Sequence, residues 1–189
     1  MIETLQHIDT ELFLFLNGMH NSFFDFIMYW VSNKFIWIPL YAWFMYQVVK
    51  AYGKRSWPII LLIAVLITVS DQLTVFLKNF FERPRPCHDE EIAELVHTVK
   101  NVCGGAYGFV SGHASSSFSL AVMLSAILGN RFRYFTPAVL FWAALVSYSR
   151  IYLGVHYPGD IVAGAFLGTL LAFLFYGFYL FLMRKFVWK

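Results

Sequence analysis

Apolar positions run along this chain in long blocks, broken by polar residues at only a few places. Residues 4–17 are the mixed exception. There Leu5, Ile8, Leu12 and Leu16 recur at helical spacing, with Glu3, His7, Asp9 and Glu11 on the other positions. A helix of about 14 residues reaches about 21 Å, too short to cross a bilayer. This segment therefore reads as an interfacial amphipathic helix, followed by a turn at 17–21. The remaining runs predict five spans, at about 25–49, 57–81, 113–128, 134–150 and 160–183. The first is interrupted by Ser32-Asn33-Lys34 and contains Pro39. A polar loop over 82–112, with Pro84, Pro86 and Gly104-Gly105, separates the second span from the third. Pro158 suits the first turn of the last helix. The expected fold class is all-α: one membrane-embedded domain over 1–189, a polytopic bundle of five transmembrane spans plus the N-terminal interfacial helix and turn at 1–24.

Composition strengthens that reading. Of 189 residues, 59% are hydrophobic and 13% charged. Soluble domains carry roughly 25% charged residues. A disordered chain, a coiled coil and a nucleic-acid-binding module are excluded. The N-terminal residues show no basic cluster, so a cleavable signal peptide is not expected. Net charge is +3, and its placement matters more than its size. The link at 50–57, the link at 129–134 and the C-terminal residues Arg184, Lys185 and Lys189 are basic and carry no acid. The positive-inside rule puts that side, with the C-terminus, in the cytoplasm. The 82–112 and 150–157 loops then face outward. In a bacterium this means an inner-membrane protein with its site toward the periplasm or extracellular side. Trp30, Trp37, Trp57 and Trp188 lie near span ends, as interfacial aromatic belts do.

Three polar blocks fall on that outer side: Lys78 to Pro86, Val110 to His113, and Ser149 to Asp160. Lys78, Arg85 and Arg150 can neutralise a multiply charged oxyanion, and arginine suits bidentate contact with phosphate oxygens. Ser111 and the amides of Gly112 and His113 open a helix, a natural anion site. Asp160 stands four residues after His156. It can accept from one imidazole nitrogen and leave the other free as a nucleophile. His113 can supply a proton to the leaving group. A phosphoryl group held by three cations between two histidines describes phosphate-ester cleavage.

These blocks resemble the three-part signature of the type 2 phosphatidic acid phosphatase superfamily: Lys-x6-Arg-Pro, Pro-Ser-Gly-His and Ser-Arg-x5-His-x3-Asp. Lys78, Arg85 and Pro86 match the first part. Ser111, Gly112 and His113 match the second, with Val110 where the family has proline. Ser149, Arg150, His156 and Asp160 match the third. The resemblance implies a six-helix core, no metal and no cofactor. It also implies a phosphohistidine on His156, His113 as general acid and Asp160 orienting His156. Lys78, Arg85, Ser111, Gly112 and Arg150 would bind the phosphate.

The reading that follows is a membrane phosphatase acting on a lipid phosphate or diphosphate at the outer leaflet. Undecaprenyl diphosphate is the first choice of substrate. A lipid phosphotransferase would use the same residues. A membrane anion transporter or binding protein is the rival of another class, but its ionisable groups would run through the midplane. No nucleic acid and no obligate protein partner is expected beside the membrane lipid. Metal ligation by the histidines is disfavoured by the three cations. Asp71, inside the second span, reads as an interior hydrogen-bonder, and Gly164 and Gly168 as a helix-packing step. His7, His20, His88 and His97 read as solvated loop or interfacial residues. Cys87 and Cys103 lie in the 82–112 loop and would pair if that compartment is oxidising, or stay as two free thiols.

Overall fold

A computed structural model describes residues 2–186, so the expectations for Trp188 and Lys189 lie outside the described residues. Among these residues the chain is all-helical, without a named strand. The helices are α1 (Ile2–Gly18), α2 (Ser22–Ser32), α3 (Ile38–Tyr52), α4 (Ser56–Phe81), α5 (Gly112–Leu128), α6 (Phe135–Tyr152) and α7 (Pro158–Phe186). Short 3-10 turns at Lys34–Trp37, Gly53–Arg55 and Gly129–Arg131 join neighbours. Three helical stretches, Lys34–Phe81, Gly112–Arg131 and Pro158–Lys185, are long and apolar enough to cross a membrane. Their outward faces are apolar: Phe166, Phe173, Trp57 and Phe76 are each more than 60% exposed. Such a coat is stable against hydrocarbon and not against water. The protein is integral to a membrane.

The axis of the bundle is α5, which packs against α3, α4, α6 and α7. Its hydrophobicity is spread around the whole circumference, as a helix enclosed by others requires. The tightest seam is α5 against α7. A β-carbon at Gly164 would stand 2.6 Å from the Ser111 carbonyl oxygen, and one at Gly168 would overlap that of Ser115. Both positions thus serve packing, and Ser119 Oγ donates to the Gly168 carbonyl at 3.1 Å. Away from the site, Phe44, Phe135 and Trp142 meet edge to face within a core that also holds Ile59, Leu66, Met123 and Leu128.

Two elements differ from the sequence expectation. The interrupted first span is two helices with different directions. Asn21 caps α2, accepting from Phe24 N at 3.0 Å, and Asn33 breaks it in extended conformation. Residues along α2 all touch the C-terminal end of α6 and the turn beyond: Asn21 and Asp25 meet Tyr152, Met28 packs on Leu153 and Val155, and Ser32 meets Arg150. With 11 residues, or about 16 Å, α2 lies across that end instead of along α6. After Lys34 the chain packs instead on the middle of α6, where Trp37, Tyr41 and Phe44 all meet Trp142.

Asp71 is the second difference. The buried stripe of α4 is Ile59, Ile63, Leu66, Ser70 and Thr74. Asp71 follows Ser70 by one position, about 100° round the helix, and is exposed on the outer surface of α4.

Candidate active site

The C-terminal ends of α4 and α6 and the N-terminal ends of α5 and α7 meet where the three polar blocks come together. α4 ends at Glu82, whose left-handed backbone (φ 49°) turns the chain sharply. The arms of the following loop are tied by Arg85 N to Ala106 O (3.1 Å) and Gly108 N to Arg83 O (2.9 Å). A disulfide between Cys87 and Cys103 closes the same loop, with Cα atoms 6.0 Å apart. The pairing anticipated for these two cysteines is thus present. His88, beside them, reaches the Gly104 carbonyl. Although Cys87, His88 and Cys103 cluster closely enough to suggest a metal site, both sulfurs are spent in the disulfide and offer no thiolate.

His156 lies in the turn between α6 and α7 and is buried. Its Nδ1 is 3.2 Å from Asp160 Oδ2. The same oxygen accepts from Tyr157 N at 3.1 Å, so Asp160 also caps its own helix from the third position. This fixes the ring, with Nε2 on its opposite edge from Asp160. Burial, reinforced by Arg85, Arg150, Lys78 and Arg83, holds His156 well below the usual imidazole range, so it stays neutral at physiological pH.

The expected phosphate-binding groups gather round it. Arg85 and Ser111 are buried. Burial also pulls Arg85 below the ordinary guanidinium value, against the opposing pull of Asp160. Arg85 donates weakly to the Val155 carbonyl, at 3.4 Å, and Arg150 donates to Ser32 Oγ. The Nε atoms of both arginines are buried and have no protein partner among the described residues. Lys78 Nζ stands 3.6 Å from where a Gly112 β-carbon would be, against the start of α5. Ser111 Oγ accepts from Ala114 N at a long 3.5 Å, while Ser111 N is taken by the Asp160 carbonyl. The free amides there are those of the first helical residues, Gly112 and His113. His113 is within electrostatic reach of Arg150, His156 and Lys78, and its ring donates to the Ser32 carbonyl. Every residue named in the three blocks is therefore brought together. A cage of three cations and helix-end amides facing a neutral, oriented imidazole can bind a phosphoryl group and attack it.

The family model described as the PAP2 superfamily matches residues 57–184. The chain belongs to the PAP2 superfamily. It is thereby a phosphatase, a phosphoric monoester hydrolase. Among relatives of this PAP2 phosphatase, the lipid A 4'-phosphatase of Bacteroides thetaiotaomicron is 43% identical, covering 93% of this chain and 79% of that protein. The lipid A 4'-phosphatase of Porphyromonas gingivalis is 35% identical, covering 95% and 76%. The crystal structure of a transmembrane PAP2 type phosphatidylglycerolphosphate phosphatase from Bacillus subtilis superposes with a TM-score of 0.75 at 23% identity, over 96% of this chain and 89% of that one. That likeness shows a shared fold.

Several residues of the PAP2 site region are absent from the sequence reading. Arg83 links Asp160 Oδ1 (2.8 Å) to Asp9 Oδ2 on α1 (2.8 Å). Ser32, at the end of α2, engages both Arg150 and His113. Asn17 is buried, donates to the carbonyls of His97, Ile151 and Tyr152, and accepts from His97 N. His97 itself is not simply solvated: it pairs with Asp25 at 2.9 Å and stacks on His20. The proximity of Arg83 to Arg85 in the first block was the only available signal for any of them.

Proposed function

We propose that this protein removes a phosphate monoester from a glycolipid of the lipid A type, held in the outer leaflet of a bacterial inner membrane. The observation that carries the reading is the cage of Lys78, Arg85 and Arg150 around a neutral His156 fixed by Asp160. Two relatives named lipid A 4'-phosphatase, matched over most of their length, support the substrate class. A cleft of about 760 Å³ reaches the dyad only through Arg83 and Tyr157, with Glu3, Asp89 and Glu90 also on its wall, and offers room for a bulky headgroup. In this topology α3 to α7 make five crossings, α1 lies at the interface, and the basic links and C-terminal residues face the cytoplasm.

In the first half-reaction His156 Nε2 attacks phosphorus and the ester P–O bond breaks. Lys78, Arg85, Arg150 and the amides of Gly112 and His113 neutralise the equatorial oxygens. His113 gives its proton to the departing sugar oxygen. Water then attacks the phosphohistidine, His113 takes back a proton, the P–N bond breaks and inorganic phosphate leaves. The three cations supply the charge a metal would otherwise bring.

The test is phosphate release by purified protein from a panel of detergent-solubilised lipids: lipid A, phosphatidylglycerol phosphate and undecaprenyl diphosphate. Undecaprenyl diphosphate, the first choice from sequence, stays in the panel as the competing substrate. Fastest turnover on lipid A, abolished in His156→Ala, is the expected result. Preference for undecaprenyl diphosphate would overturn the substrate class. Transfer of the phosphate to a second lipid instead of water would make the enzyme a phosphotransferase.

A further inference from the structure

The His156–Asp160 pair does not stand alone. Asp160 is fully buried, and both of its carboxylate oxygens are engaged: Oδ2 by His156 and Tyr157 N, Oδ1 by Arg83 Nη1 at 2.8 Å. The other arm of the same guanidinium reaches Asp9 Oδ2, also at 2.8 Å. Asp9 Oδ1 in turn accepts from Gly159 N at 2.7 Å. That amide belongs to the first turn of α7, so a carboxylate on α1 caps the helix that carries Asp160. The Arg83 guanidinium lies over the Tyr157 ring, 4.1 Å from its centre, and Phe13 of α1 meets that ring edge to face at 5.4 Å. One planar fork thus ties α1, the loop after α4 and the start of α7 together.

The geometry points to Arg83 as a positioning residue for the nucleophile: through the bridge Asp9–Arg83–Asp160, docking of α1 sets the orientation of the Asp160 carboxylate and with it the ring of His156. The inference rests on the reading of His156 as nucleophile and adds two residues outside its signature blocks' matched positions. Lysine cannot replace the fork, because a single ammonium does not hold two carboxylates in one plane.

The bridge also has an electrostatic consequence that a merely structural brace would lack. The charged and titratable groups round His156 are Lys78 on α4, Arg83 and Arg85 on the following loop, His113 on α5, Arg150 on α6 and Asp160 on α7. Arg83 is the one of these cations that offsets Asp160 by direct contact. Removing it withdraws a positive charge and leaves Asp160 uncompensated. Both changes favour the imidazolium, so His156 takes a proton at higher pH. Only the neutral ring attacks phosphorus, so the acid limb of the rate profile moves upward.

The experiment compares wild type with Arg83→Gln, Arg83→Lys and Asp9→Asn, measuring kcat, KM and the pH profile of kcat/KM on the lipid found best in the panel. In Arg83→Gln, kcat falls by about 10²-fold, the scale of a misplaced reacting group, with KM little changed and the acid limb at higher pH. Arg83→Lys keeps the limb in place and recovers part of kcat. Asp9→Asn retains an acceptor for Gly159 N, leaves the limb unmoved and lowers kcat by less than Arg83→Gln. Wild-type kcat in Arg83→Gln, or a fall in kcat with an unmoved acid limb, overturns the inference. Should Arg83→Gln fail to fold, full activity in both Arg83→Lys and Asp9→Asn overturns it, and graded loss of kcat in the two supports it. Absence of turnover on every lipid, or turnover in His156→Ala, defeats the functional reading instead. The inference is then read by 15N-histidine NMR: an upward shift of the His156 titration in Arg83→Gln supports it, and an unchanged titration overturns it.

Discussion

Gly108 lies against Asp160. A β-carbon built on Gly108 would stand 3.0 Å from Asp160 Oδ2 and 3.6 Å from His156 Nδ1. The loop backbone therefore covers the hydrogen bond that orients His156, the proposed nucleophile, and it can do so only because no side chain intervenes. Gly108→Ala must push the carboxylate or the loop by several tenths of an ångström. We expect kcat to drop by at least 10-fold, with a melting temperature in detergent near that of wild type. Unaltered kcat would show that the cover has slack.

The seam between α5 and α7 makes a different demand. With the Ser115 carbonyl occupying the place of a side chain at Gly168, Gly168→Leu forces the helices apart. Overpacking of this kind costs about 1–3 kcal/mol or more. Because Ser111 and His113 sit on α5 and Asp160 on α7, stability and activity should fall together. Thermal unfolding in detergent micelles checks the first and phosphate release the second. A variant of wild-type stability would mean that the seam opens freely.

The two preceding cases mark how far the sequence could be read. Lys78, Arg85, Ser111, Gly112, His113, Arg150, His156 and Asp160 were legible because their spacing within each block is short and rigid. The helices α3 to α7 were legible because apolar runs report exclusion from water. The direction of α2 was not: Asn33 announced a break, but hydropathy carries no information about the axis on either side. Asp71 misled because one residue of helix phase separates the buried Ser70 from the outer surface. The bridge through Arg83 was hidden by distance, since Asp9 is 74 residues from Arg83 and 150 from Gly159. Contacts of that range arise from the docking of α1 and leave no local pattern.

The buried, neutral state of His156 has a consequence for stability. Its folded value lies well below the ordinary one. In the unfolded chain the ring takes a proton below about pH 6.5, while in the folded protein it does not. The unfolded state then binds more protons, so stability is intact above about pH 6.5 and declines as pH falls toward the folded value. Melting temperatures measured in detergent from pH 8 to 4 should fall along this window. The decline should be shallower in His156→Asn, which cannot titrate. Parallel curves for the two proteins would show that other groups dominate.

On the proposed mechanism, in which three cations supply the charge, activity should be insensitive to chelation and open to mimics of the transferred group. We expect phosphate release to continue in EDTA. Vanadate, which adopts the five-coordinate geometry of the phosphoryl centre, should inhibit competitively, and Arg85→Ala or Arg150→Ala should weaken that inhibition. Loss of activity in EDTA restored by one divalent ion would refute the metal-free chemistry.

The last prediction concerns the disulfide between Cys87 and Cys103, which are 16 positions apart. Cys87 follows Pro86 directly, two residues beyond the buried Arg85. Cys103 precedes Gly104, whose positive φ of 85° lets the chain pass within 3.3 Å of the Arg85 guanidinium at the place of a β-carbon. The crosslink therefore pins the segment that packs on Arg85, a proposed phosphate ligand. Closing a loop of about 15 residues is worth about 3 kcal/mol in the chain-entropy model. Protein extracted without reductant should show no thiol labelling after denaturation and two labelled cysteines after reduction. Reduction, or the double variant Cys87→Ser/Cys103→Ser, should lower the melting temperature. On the proposed mechanism it should also raise KM more than it lowers kcat, because Arg85 would contact the phosphate while the His156–Asp160 pair is held from α7 and α1. A reduced enzyme with unchanged KM and melting temperature would show that the hydrogen bonds from Arg85 N to Ala106 O and Gly108 N to Arg83 O hold the loop unaided.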